Sequence, residues 1–212
     1  MDDKERQAAF NSALTTEHFV LQTAATATVS EAAARASLYM FSLSSSLIAM
    51  GFTSGSQEVF LPFAATVLPA LFLLGIFTVV RLVDTGIQNQ QCLAAIARIR
   101  SYYRTLTPEA AVYFSAESGR WPEAHSSPSV WFGPFVAFFT TAASMIAFIN
   151  SIVAGAGVTL LASNLLLRDQ TVFALLLGVA TTLVLMAAFL AFQRWRYRIS
   201  AALLSAPPPQ GQ

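Results

Sequence analysis

Residues 171–193 read TVFALLLGVATTLVLMAAFLAFQ, a run without a single ionisable side chain. The charges that bracket it, Asp169 and Arg194, enclose 24 residues. About 20 residues of helix cross the roughly 30 Å of a bilayer's hydrocarbon, so this run reads as a membrane span. It is not alone. Arg35 and Glu58 enclose 22 uncharged residues, Glu58 and Arg81 another 22, and Glu123 and Arg168 enclose 44. Four spans are predicted, at 36–54, 60–82, 134–157 and 171–193, so the fold class is all-α: an integral membrane four-helix bundle with helical cytoplasmic extensions.

Composition points the same way. Only 11% of the 212 residues are charged, under half the roughly 25% of a soluble domain, and the mean hydropathy is +0.58. A net charge of +1 gives no basis for binding nucleic acid, which needs a concentrated basic surface. The single cysteine, Cys92, makes neither an intramolecular disulfide nor a metal cluster. The first residues are polar and the first membrane-length apolar run starts near Ala36, unlike a cleavable signal peptide. The first span is expected to act as its own insertion signal.

Lys and Arg set the expected orientation. With both termini cytoplasmic, only Arg168 of the 12 basic residues falls in an outer loop, a strong positive-inside pattern. Trp131 and Trp195 then lie at the inner ends of spans 3 and 4, where an interfacial belt would place them. The expected location is the cell membrane, multi-pass, with the lipid bilayer as surroundings.

The chain divides accordingly into an N-terminal cytoplasmic helix (1–35), spans 1 and 2 (36–82), a cytoplasmic amphipathic helix and loop (83–130), spans 3 and 4 (131–193), and a basic flank with a Pro-rich tail (194–212). No Gly or Pro precedes Gly51. With Thr16 as cap and Glu17 as first helical residue, a helix to Met50 would be about 34 residues and roughly 50 Å long. Such a rod serves either as a coupling arm or as a plain lead-in loosened by the Thr-rich stretch 23–28. Glu31 and Arg35 are spaced i, i+4 in the favourable order, and Arg81 and Asp84 can pair at the inner end of span 2. Pro69 inside span 2 is a hinge or a static bend.

After Gly86 a basic amphipathic helix is predicted over 87–106, with Cys92, Leu93, Ile96, Ile99, Tyr103 and Leu106 on one face. The run Gln88-Asn89-Gln90-Gln91 lies elsewhere. The apolar stripe would rest on anionic lipid or pack on the N-terminal rod. Thr107-Pro108-Glu109 reads as a cap with proline at the first helical position, opening a short helix to Ser115. A loop over 118–128 follows, and the tail from Ala206 reads as disordered.

Between the flanking charges of the spans there is no Asp, Glu, Lys, Arg or His except His125 in the approach to span 3. Proton-coupled carriers and voltage sensors depend on such residues. No His-Glu-x-x-His, Gly-x-Ser-x-Gly or phosphate-loop motif occurs. No catalytic, metal or cofactor site is therefore expected. Span 3 does carry a stripe: at about 100° per residue, Ser144, Ser151 and Gly155 fall within roughly 60° of Thr140, with Asn150 at the shoulder. Span 4 repeats small residues at intervals of four, Ala174, Gly178 and Thr182, a ridge suited to close helix packing. Ser42, Ser45 and Ser46 suit span 1 to a protein contact in the same way. The stripe either packs helices together or, when several copies assemble, lines a hydrated path of modest selectivity.

The strings Glu31-Ala32-Ala33-Ala34-Arg35-Ala36-Ser37-Leu38-Tyr39, Val80-Arg81-Leu82-Val83-Asp84 and Asn150-Ser151-Ile152-Val153-Ala154-Gly155-Ala156-Gly157 resemble a family of small, uncharacterised actinobacterial integral membrane proteins. The similarity runs from about Thr16 to Tyr197 and brings no activity with it. In layout alone the chain resembles the SLATT-type membrane effectors of bacterial immunity, which have two spans rather than four. Two functions are expected from these readings: a homo-oligomeric pore-like or membrane-perturbing component, or a non-conducting membrane adaptor that binds a cytoplasmic protein partner.

Overall fold

The computed structural model describes residues 2–114, 139–166 and 170–205, all helix and connecting turns. The elements are α1 (Asp3–Thr53), α2 (Gln57–Arg104), α3 (Ala110–Tyr113), α4 (Ala142–Leu161) with a π-helical turn over Ala162–Leu166, and α5 (Thr171–Ser205). Four of these, including α4 with its extension to Asn164, are long and apolar enough to cross a membrane. The loop at 118–128, Trp131, the start of span 3 at 134–138 and the tail from Ala206 lie outside the described residues.

Several helix boundaries differ from those expected. Helix α1 starts at Asp3 rather than Glu17. Glu5 Oε2 accepts from Asp2 N–H at 3.1 Å, the returning half of a capping box, while Asp2 Oδ1 accepts from the adjacent Asp3 N–H at 2.7 Å. Thr16 is interior, its hydroxyl donating to Ser12 C=O at 3.0 Å. The Thr-rich stretch does not loosen the helix, because Thr23, Thr26 and Thr28 bond back to Phe19, Gln22 and Ala25 carbonyls. Such back-bonding lets a hydroxyl sit inside a helix at small cost.

Gly86 does not divide span 2 from the amphipathic helix; α2 is continuous for 48 residues. An interior glycine costs only about 1 kcal/mol, less than a helix gains by packing along its length. Within the described part of span 3, helix α4 begins at Ala142, where Thr141 Oγ1 accepts from Ser144 N–H at 3.2 Å. It also runs past 157, through the π-helical turn. Helix α5 continues through the basic flank to Ser205.

The chain forms two compact units. The first comprises Met1–Glu31, Thr85–Ala137 and Ser200–Gln212. In it the first half of α1 lies antiparallel to the last part of α2. Gln7 Nε2 donates to Tyr102 Oη at 2.8 Å, Phe10 meets the Tyr102 ring edge-on at 5.4 Å, and Thr28 Oγ1 donates to Asn89 Oδ1 at 3.4 Å. Ile96 and Ile99 are buried as the amphipathic stripe requires, whereas Leu106 lies past the helix end and is exposed. Asn89 shows that the polar run also reaches α1. After Arg104, Thr107 Oγ1 accepts from Ala110 N–H at 3.2 Å, but α3 starts at Ala110 with Glu109 as its N-cap, so Pro108 lies in the turn before the helix and not at its first position.

The second unit, Ala32–Asp84 and Phe138–Ile199, holds the apolar parts of α1 and α2 with α4 and most of α5. Its order comes from α4, which touches the other three helices through small and polar side chains.

Candidate functional site

The side of α4 that faces α5 carries most of the stripe. Ser144 is 2% exposed and its hydroxyl donates to Gln193 Oε1 at 3.2 Å. Ser151 is fully buried and bonds back to Ala147 C=O at 2.7 Å. One turn further on, Gly155 lies against Gly178 and Thr182 of α5. A Cβ on Gly155 would stand 2.5 Å from Gly178 C=O and would also collide with the Thr182 hydroxyl. The contact is reciprocal, since a Cβ on Gly178 would stand 2.6 Å from Gly155 C=O. Ala174, one turn before Gly178, is fully buried. The small residues of α4 and α5 thus form one antiparallel seam in which the backbones nearly touch, the arrangement expected of small-xxx-small helix faces.

Thr140 does not share in this seam. It precedes the N-cap Thr141, lies outside the helix and is exposed, so helical periodicity cannot be extended back to it. Among the span 1 serines, Ser42 and Ser46 are half-buried and Ser45 is exposed. Pro69 is interior to α2 and exposed at its surface. Glu31 and Arg35 are one turn apart on α1. At the far end of span 2, Asp84 pairs with Arg196 of α5, Oδ1 to Nη2 at 2.6 Å, an ion pair across helices rather than within span 2.

The centre of the unit is a residue the periodicity placed only on a shoulder. Asn150 is fully buried. Its Nδ2 donates to Phe72 C=O of α2 at 3.1 Å, and its Oδ1 accepts from Tyr39 Oη of α1 at 3.2 Å. The amide rests directly on Gly75, where any Cβ would overlap it. One side chain therefore binds α1, α2 and α4 together. Tyr39 is likewise fully buried. The signal was present in the sequence: Asn150 is an amide in the middle of a membrane-length apolar helix, where polar side chains find partners on neighbouring helices.

Between α2, α4 and α5, on the other side of the Asn150 contact from Ser144, lies an apolar cavity of about 550 Å³. Leu61, Ala65 and Pro69 of α2 wall it, with Gly157 and Val158 of α4 and Leu185 of α5. Asn164 in the π-helical turn closes one end, its Oδ1 accepting from Gln57 Nε2 at 3.2 Å. No family model, curated protein or solved structure matches this chain.

Proposed function

We propose that the chain is a multi-pass membrane protein with cytoplasmic termini that acts as a non-conducting adaptor for a cytoplasmic protein partner. The observation that carries this reading is the use of the hydroxyl stripe. Ser144 and Ser151, the side chains that would have to face water in a pore, are 2% and 0% exposed within a single chain. Their hydroxyls are already bonded to Gln193 and Ala147, so opening a hydrated path along them would mean separating α4 from α5. Large apolar residues left open on the first half of α1 support a partner for the first unit: Phe19 is 62% exposed and Val20 55%. Scattered exposed hydrophobes are ordinary, but these two are neighbours of Thr16 and Thr23 around one shallow depression.

Vesicles loaded with a self-quenched dye test the non-conducting part. The expected result is no release above empty vesicles at any protein density. Release that Ser144→Leu abolishes would restore the pore reading. A photo-crosslinking residue at position 19, used in intact cells, tests the partner. The expected adduct has a mass that is not a multiple of the 22.8 kDa chain; self-adducts alone would contradict the adaptor role.

A further inference from the structure

Resting on the membrane-spanning reading above, we propose that the apolar cavity between α2, α4 and α5 is a binding site for one acyl chain of a bilayer phospholipid. Its lining is apolar except for two residues: Thr181, whose hydroxyl donates back to Leu177 C=O within α5, and Asn164 at one end, whose amide oxygen accepts from Gln57. That polarity is the polarity of a lipid: hydrocarbon along the groove and a hydrogen-bonding group at the headgroup end. The volume, about 550 Å³, lies inside the roughly 300–1,000 Å³ of sites that hold small molecules.

Length selects the occupant. On α2 the lining runs from Leu61 to Phe72, roughly 16 Å at 1.5 Å per residue. One leaflet contributes about half of the 30 Å hydrocarbon thickness, so the groove matches one acyl chain. A helix of a second copy would have to follow the bilayer through its whole depth, and the groove does not continue that far. Just beyond Phe72, Asn150 sits on Gly75 and closes α2 onto α4. The walls are also stiff, because Pro62 and Pro69 both line it and each ring fixes its own backbone φ. A preformed, rigid slot loses little freedom when it is filled.

Gly157 gives the means of filling it artificially. A Cβ there would meet Leu68 at 3.7 Å, ordinary contact, so a large side chain can be added without collision at its root and would project into the slot. The experiment reconstitutes the full chain in vesicles of dibrominated phosphatidylcholine, re-extracts it in a mild maltoside detergent and weighs it by native mass spectrometry. The bromine mass marks lipid taken from the bilayer. The expected result is one brominated lipid retained per chain, reduced at least fivefold in Gly157→Phe and Ala154→Phe. Val184→Phe, on an α5 position that is 66% exposed, should retain lipid as the unchanged protein does. Equal retention in all variants, or none in the unchanged protein, overturns the site. A lipid-free dimer that Gly157→Phe dissociates overturns it in favour of a second copy. Carbonate extraction of the same membranes separates the two levels: a chain released by carbonate fails the membrane reading itself, whereas a chain that stays inserted but retains no lipid fails only the site.

Discussion

Gly155 and Gly157 stand two residues apart on α4, and a side chain on each would meet opposite surroundings. On Gly155 it would strike the Gly178 carbonyl and the Thr182 hydroxyl; on Gly157 it would find only Leu68 at ordinary distance beside an open slot. One edge of α4 is closed to the limit of backbone contact, and the adjacent edge is left open. Glycine alone does not say which. A glycine in a membrane helix marks either a place where another backbone comes close or a place where space is kept, and only the neighbouring helix decides between them.

The sharpest way to break this contrast is to substitute the two glycines alike. Gly155→Val should destabilise the fold by about 3 kcal/mol, the upper end of ordinary overpacking, because its obstacle is a backbone carbonyl that cannot swing aside. Gly157→Val should leave stability within about 0.5 kcal/mol, as substitutions away from tight contacts do. Unfolding in mixed micelles of increasing dodecyl sulfate fraction measures both.

The Asn150 contact sharpens the comparison at a second glycine. Asn150→Ala should cost about 2 kcal/mol, since Phe72 C=O and Tyr39 Oη both lose a partner in a buried setting. Gly75→Ala should also destabilise, because its methyl would overlap the Asn150 amide. The two should not add: in the Asn150→Ala background the Gly75→Ala cost should fall well below its value alone, as for any pair that shares one contact. Tyr39→Phe removes a single interhelical hydrogen bond and should cost roughly 0.6 kcal/mol, the average for such bonds in membranes. Smallest of all is the Asp84–Arg196 pair, whose side chains are 30% and 37% exposed. A double-mutant cycle with Asp84→Asn and Arg196→Gln should give a coupling of about 0.2–1 kcal/mol that weakens with added salt.

The spacing of charges was enough to read four membrane-length helices, because long uncharged runs have few other uses. Helix ends were harder. Thr16 looks like a cap, but so does Asp2-x-x-Glu5, and nothing in the pattern ranks the two until one of them is seen bonded at the start of the helix. Gly86 looks like a break, yet packing on both sides carries α2 through it. The stripe on α4 was legible as a face, since periodicity gives the angle of a side chain about its own axis. It says nothing of the helix opposite, so Gln193 as the partner of Ser144, and Arg196 as a partner of Asp84, were not readable. Periodicity puts Asn150 only at the shoulder of the stripe, although an amide that far into an apolar helix is the residue with most to gain from a partner.

Whether the stripe is spent on packing is best tested by cysteine accessibility. In a Cys92→Ser background, single cysteines at Thr140, Ser144 and Ser151 are exposed to a water-soluble maleimide in sealed and in detergent-opened vesicles. Burial against α5 predicts that the cysteine at position 140, which is exposed in the turn before α4, labels readily while those at 144 and 151 stay unlabelled in both preparations. Labelling at 144 and 151 as fast as at 140 would mean that water reaches the stripe, and would contradict the packed seam on which the adaptor reading stands.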